Sequence, residues 1–194
     1  MCRFSEPNRQ KLGNTVLYIA THAKYPYKTV ILKLLFLMEE RMVQQYHVPF
    51  LGIPFSVWRL GPVSVDVFEE LSDGPVLLGD FISLQFNGQG IRVTPVLNRE
   101  FNDDEFSENE LQVMEKVMEK YGDMTSEQLI AVTHQEGSLW WQTAKDHGLL
   151  EDFSNNRAST SDVVIDMGRG LCPDDRAFYE ETKDIHETAN LMRL

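Results

Sequence analysis

Cysteine is scarce in this sequence: Cys2 and Cys172 are the only two. They lie far apart, near opposite ends, and form no Cys-x-x-Cys pair. That excludes a disulfide framework and a zinc knuckle, and makes a reduced, cytoplasmic setting the expectation. Basic residues are also few, with 18 Lys and Arg against 30 Asp and Glu for a formal charge of -12. The average surface therefore repels phosphate and anionic lipid, which disfavours nucleic-acid binding and suits a partner that is itself basic. Arg3, Arg9 and Lys11 are too few to form a separate basic patch. Long apolar runs are missing too. The longest, Val30 to Met38, is broken by Lys33 and has half the length needed to cross a bilayer, so no membrane association is expected. The opening Met1-Cys2-Arg3-Phe4-Ser5-Glu6-Pro7 has no apolar stretch of the kind a secretory signal requires.

The arrangements that support catalysis are missing as well. There is no Gly-x-Ser-x-Gly elbow, and neither cysteine sits where a helix N-terminus and a cation would lower its pKa. Gly88-Gln89-Gly90 reads as a hairpin turn, and Gly168-Arg169-Gly170 has neither a third glycine nor a lysine-serine pair, so no phosphate loop is encoded. His186-Glu187-Thr188-Ala189-Asn190 has Asn where a zinc-protease signature needs its second His. Asn102-Asp103-Asp104-Glu105 lacks the alternation and glycine of a calcium loop, and reads as a solvated loop that places negative charge before a helix. The residues call for no catalytic set, no metal and no cofactor.

What is present is the material of one ordinary domain. With 194 residues, 42% hydrophobic and 25% charged, the chain can bury roughly 70% of its unfolded surface. Leu12, Val16, Ile19 and Ala20 predict a helix from about Arg9 to Ala23. A second, from Tyr27 to Tyr46, is apolar on most sides and should be central. A short strand near 55–59 follows, and Gly61-Pro62 reads as a helix start, because proline suits a first helical position. Ile82, Leu84 and Phe86 alternate with Ser83 and Gln85, and Ile91 and Val93 with Arg92 and Thr94, which predicts a hairpin over 81–96 with one wet face. Ser107-Glu108-Asn109-Glu110 and Thr125-Ser126-Glu127-Gln128 are capping boxes that open two further helices. Gly137-Ser138 precedes another helix at Leu139-Trp140-Trp141, closing near His147-Gly148. Residues 151–162 read as a linker, Val163-Val164-Ile165 as a short apolar run, and Phe178, Thr182, Ile185, Ala189 and Met192 as a last helix. The expectation is a mainly helical α+β domain with a small antiparallel sheet, residues 1–150 forming the domain. Residues 151–194 form an extension that packs on it or faces a partner.

Two stretches stand out chemically. Val57-Trp58-Arg59-Leu60-Gly61-Pro62-Val63-Ser64 runs a strand straight into a Gly-Pro step. Leu129 to Trp141 places His134 at a helix end and a tryptophan pair beyond a turn. A histidine there is a favourable dipole partner, and a tryptophan after a turn is ordinarily core, so both have a structural reading.

Taken in order, these pieces resemble the SocA-like Panacea domain. Lys33-Leu34-Leu35-Phe36-Leu37-Met38 is similar to the family's Lys-Leu-Leu-Tyr-Leu helix, Leu51-Gly52 to Arg59 to its loop and strand, Gly61-Pro62-Val63 to its Gly-Pro-Val, and Leu129 through Trp140 to its Leu-x-x-x-Thr-His…Trp segment. The resemblance spans about Thr15 to Asp146. Members often carry a polar residue before Gly-Pro-Val, where this chain has Leu60.

The resemblance implies a non-enzymatic antitoxin that neutralises a cognate toxin by direct binding, some members handing the toxin to a cellular protease. Lys33, Gly61, Pro62, Thr133, His134 and Trp140 are then the structural motif. Trp58, Arg59, Phe178, Glu180, Glu181 and Ile185 are the candidate partner-facing residues. Two other classes stay open at this point: a small-ligand binder or hydrolase with a pocket at His134, Trp140 and Arg59, and a transcriptional regulator. Homo-oligomerisation is open too.

Overall fold

The computed structural model describes residues 5–88 and 90–192. Cys2, Arg3 and Gln89 lie outside the described residues, as do the side chains of Ala189 and Met192. The first helix, α1 (Glu6–His22), carries Pro7 in its first turn, where a missing N–H leaves no bond unmade. The second, α2 (Lys28–Tyr46), is the central element. Its run from Val30 to Glu39 is buried without a break, so neighbours must pack on every side. Among the described residues it packs against α1, a short helix α3 (Val65–Glu70), and two later helices, α4 (Glu108–Tyr121) and α5 (Ser126–Thr133). The two capping boxes form as their spacing predicts, Ser107 with Glu110 and Thr125 with Gln128. Three helices complete the set: α6 (Leu139–Asp146), α7 (Leu149–Ser154) and α8 (Pro173–Met192). The chain is a mainly helical α+β single domain with two small antiparallel two-stranded sheets.

The sheets correct one expectation. Gly61-Pro62 does not begin a helix; β1 (Ser56–Trp58) turns back at Arg59-Leu60 and pairs with β2 (Gly61–Val63). Pro62 is opposite Val57, whose N–H points away from β2 to the Val163 carbonyl. The pair is therefore a non-hydrogen-bonded one, and proline's missing N–H falls on the side where the ladder has no use for it. The helix starts only at Val65, with Ser64 as N-cap.

The segment 151–165 is also more structured than a linker. It opens with α7, and residues 159–165 then run along the other side of β1. Val57 N–H donates to Val163 at 2.9 Å, Ile165 N–H to Phe55 at 2.8 Å and Arg59 N–H to Ser159 at 2.9 Å. β1 is thus flanked on both sides.

The second sheet is the predicted hairpin, β3 (Ile82–Asn87) with β4 (Gly90–Pro95), in register from Ile82↔Pro95 to Asn87↔Gly90. Its β4 side is tied to the α1–α2 connection by Val93 N–H donating to Pro26 at 2.8 Å. Phe81 is wedged against Gly13 of α1, where an added Cβ would come within 2.4 Å of the ring.

Candidate functional site

The residues of the motif converge where α2, the β1–β2 turn, the end of α5 and the start of α6 meet. Lys33 projects from the most buried stretch of α2 and is 1% exposed. Its Nζ donates to the Pro62 carbonyl at 2.9 Å. That carbonyl is available because Pro62 stands at the non-hydrogen-bonded position of β2. Burial without a countercharge depresses the lysine from 10.5 to about 7. Gly61, at φ +103°, lets the main chain pass close by; a Cβ there would lie 2.8 Å from Lys33 Cε and 3.0 Å from Thr133 Oγ1.

Thr133 closes α5 by donating its hydroxyl to the Leu129 and Ile130 carbonyls at 3.1 Å each. His134, the C-cap, points back across the β turn. Its Nδ1 lies 2.7 Å from the Ile130 carbonyl and its Nε2 3.0 Å from the Arg59 carbonyl. A neutral ring can donate to one of these acceptors and a protonated ring to both. Burial nevertheless holds the histidine below its ordinary pKa, and the neighbouring Lys33 acts in the same direction. Trp140 packs on that ring with centroids 3.7 Å apart and donates its Nε1–H to the Trp58 carbonyl at 3.0 Å. Ser138 joins the two helices, donating to Thr133 O at 2.7 Å and accepting from Trp141 N–H at 3.1 Å. One family of bonds recurs: a side chain from α2, α5 or α6 holds a main-chain carbonyl of the β1–β2 hairpin.

Trp58 and Arg59 enter this cluster through their carbonyls. The Trp58 ring leaves it to pack edge-on against Phe68 at 4.9 Å. Arg59 is exposed and donates to Asn156 Oδ1 at 2.6 Å. The other four candidates are on α8, away from the motif. Phe178 and Ile185 are 49% and 61% exposed, and Glu181, three residues on from Phe178, shares their outer face. Glu180 instead pairs with Arg176 at 2.7 Å. The inner face holds the helix down. Tyr179 is 5% exposed, Arg176 bonds Asp166 at 2.7 Å and His47 meets Asp175 at 3.2 Å. Burial pushes the Tyr179 phenol well above its usual range.

Glu39 is a polar anchor that the motif does not include. It is fully buried on α2 and its carboxylate accepts N–H bonds from Phe50, Leu51 and Gly52 at 3.1, 2.8 and 3.3 Å. Burial raises its pKa against the opposing pull of those three donors. The signal in the sequence was an acid inside an apolar helix followed by a Pro- and Gly-rich loop. Among the described residues no three His, Cys, Asp or Glu side chains gather as metal ligands, and no helix is long and apolar enough to cross a membrane.

No curated protein and no solved structure matches the chain. A family model does: residues 31–141 match the antitoxin SocA-like, Panacea domain, over a span that contains Lys33, the Gly61-Pro62 step, Thr133, His134 and Trp140. With more than half its length matched, and the motif gathered at one junction, the chain belongs to the SocA-like Panacea family of antitoxins.

Proposed function

We propose that this chain neutralises a cognate toxin by binding it directly. The observation that carries the reading is the match of residues 31–141 to the antitoxin family. The geometry supports it. The Lys33 amine, the two His134 nitrogens and the Trp140 N–H all face main-chain carbonyls, which suits a scaffold and leaves no polar tip aimed at a substrate. On the outside, apolar Phe178 and Ile185 sit on a helix rich in acids, Asp174, Asp175, Glu181 and Asp184 among them. An apolar anchor within a negative field suits a basic partner, attracted at long range and held by burial. Trp58 and Arg59 offer a second contact region at the β1–β2 turn.

The test is co-expression with the product of the adjacent reading frame. Growth arrest by that product alone, rescue by this chain, and a complex whose affinity falls as salt rises are the expected results. A chain that neither rescues nor binds overturns the proposal.

A further inference from the structure

The β3–β4 hairpin has one closed side and one open one. Leu84 lies opposite Val93, and the Val93 N–H points away from β3 to Pro26. The pair is non-hydrogen-bonded, so Leu84's own N–H and C=O point outward on the far side of β3, and by the two-residue period those of Phe86 do the same. Ile82 N–H, the third in this row, is taken by Leu78 at 3.0 Å. Among the described residues no backbone bond reaches Leu84 or Phe86 from outside the hairpin. Natural edges of this kind are ordinarily blunted by a charge, a proline or a bulge. β3 reads Ile-Ser-Leu-Gln-Phe-Asn, has none of these, and its register is unbroken.

This edge borders a groove of about 650 Å³, whose far wall is the turn 72–79 with Asp73 and Pro75. Leu84, Phe86 and Val96 make its floor apolar. Phe86 is 73% exposed although it shares a strand face with fully buried Ile82. Val76 and Leu97, each next in sequence to a lining residue, are also exposed.

We propose that β3 accepts an extended basic segment of the partner protein as an added strand, its apolar side chains lying over Leu84 and Phe86. This rests on the antitoxin reading and assigns it an interface. Charge selects the occupant. A second copy would set one chain of formal charge -12 against another, whereas a basic segment is attracted by that net charge and meets, on the groove wall, Asp73, whose charged neighbour is Lys28.

The experiment uses the full chain with the adjacent frame's product as probe. Leu84→Pro removes the outward N–H at a position where the hairpin makes no use of it, at the cost of part of Leu84's packing on the core. Phe86→Lys puts a positive charge on an exposed site and serves as a second variant should the first fail to fold. Each should weaken binding at least tenfold, Phe86→Lys with an unchanged melting temperature. In the wild-type complex the Leu84 and Phe86 amides should exchange at least tenfold more slowly than in the free chain. Tight binding by both variants, or no protection of those amides, overturns this proposal and leaves the antitoxin reading standing. A wild-type chain that fails to bind overturns both. Protection of the same amides in the chain alone, with a doubled mass in solution, would assign the edge to self-association and overturn the basic-segment proposal.

Discussion

Lys33 supplies the sharpest test of the motif, because its effect on stability has a sign and a pH window. The amine titrates near 7 in the folded chain and near 10.5 when unfolded. Between those values the unfolded chain binds a proton that the folded chain has released, so stability rises with pH. Below pH 7 both states are protonated and the full penalty of burying the charge applies. At 1.36 kcal/mol per pKa unit the whole window is worth about 5 kcal/mol, and the interval from pH 7.5 to 9.5 about 2–3 kcal/mol. The perturbation is Lys33→Met, which keeps the volume and removes the titration. It also leaves the Pro62 carbonyl without its donor, a loss of about 1–3 kcal/mol that does not vary with pH. Urea unfolding followed by tryptophan fluorescence, repeated at half-unit steps of pH, gives both curves. The difference, wild type minus variant, should climb by about 2–3 kcal/mol from pH 7.5 to 9.5, since every other titration cancels. Two parallel curves would refute the reasoning, because they would mean that Lys33 is hydrated or paired with an acid.

Glu40, raised to about 7 by burial, has the opposite sign: stability should fall as pH rises from 4.5 to 7, and Glu40→Gln should flatten that limb in the same urea series. Gly61→Ala places a Cβ against Lys33 and Thr133 at φ +103° and should lower stability by about 1–3 kcal/mol or more, whereas Gly137→Ala, with nothing within 4 Å of its Cβ, should lower it only by its own backbone strain. Trp140→Ala should cost about 3–5 kcal/mol and lose rescue and fold together; lost rescue at an unchanged melting temperature would make Trp140 a contact residue instead. On α8, Tyr179→Ala should lower the melting temperature, whereas Phe178→Ala should leave it unchanged and weaken partner binding, a pairing that calorimetry on the two variants checks directly.

The helices were legible because their signals are local. Capping boxes at Ser107 and Thr125 and the apolar run of α2 need no knowledge of the rest of the chain. The hairpin was equally plain from its period of two. Pro62 was misread because the same missing N–H fits a first helical turn and a non-hydrogen-bonded strand position, and only its partner Val57, itself turned toward Val163, decides between them. Residues 159–165 were opaque for a related reason. They pair with a strand more than 100 residues earlier in the chain and show no periodicity of their own. At the site, the resemblance named Lys33, Gly61, Thr133, His134 and Trp140, but it did not reveal that they hold carbonyls of one hairpin. Glu39 escaped because a buried carboxylate satisfied by loop N–H groups looks, in sequence, like the first residue of an ordinary charged helix end.

The flanking of β1 by β2 on one side and residues 159–165 on the other fixes an order of events at the ribosome. Synthesis runs at about 5–20 residues per second, so Ile165 follows Val63 by about 5–20 s. Until then the Val57 N–H lacks the Val163 acceptor that it has in the fold. The segment around Val163 is thus the piece that closes β1 to any other extended chain, and it is made after every other element that holds this sheet.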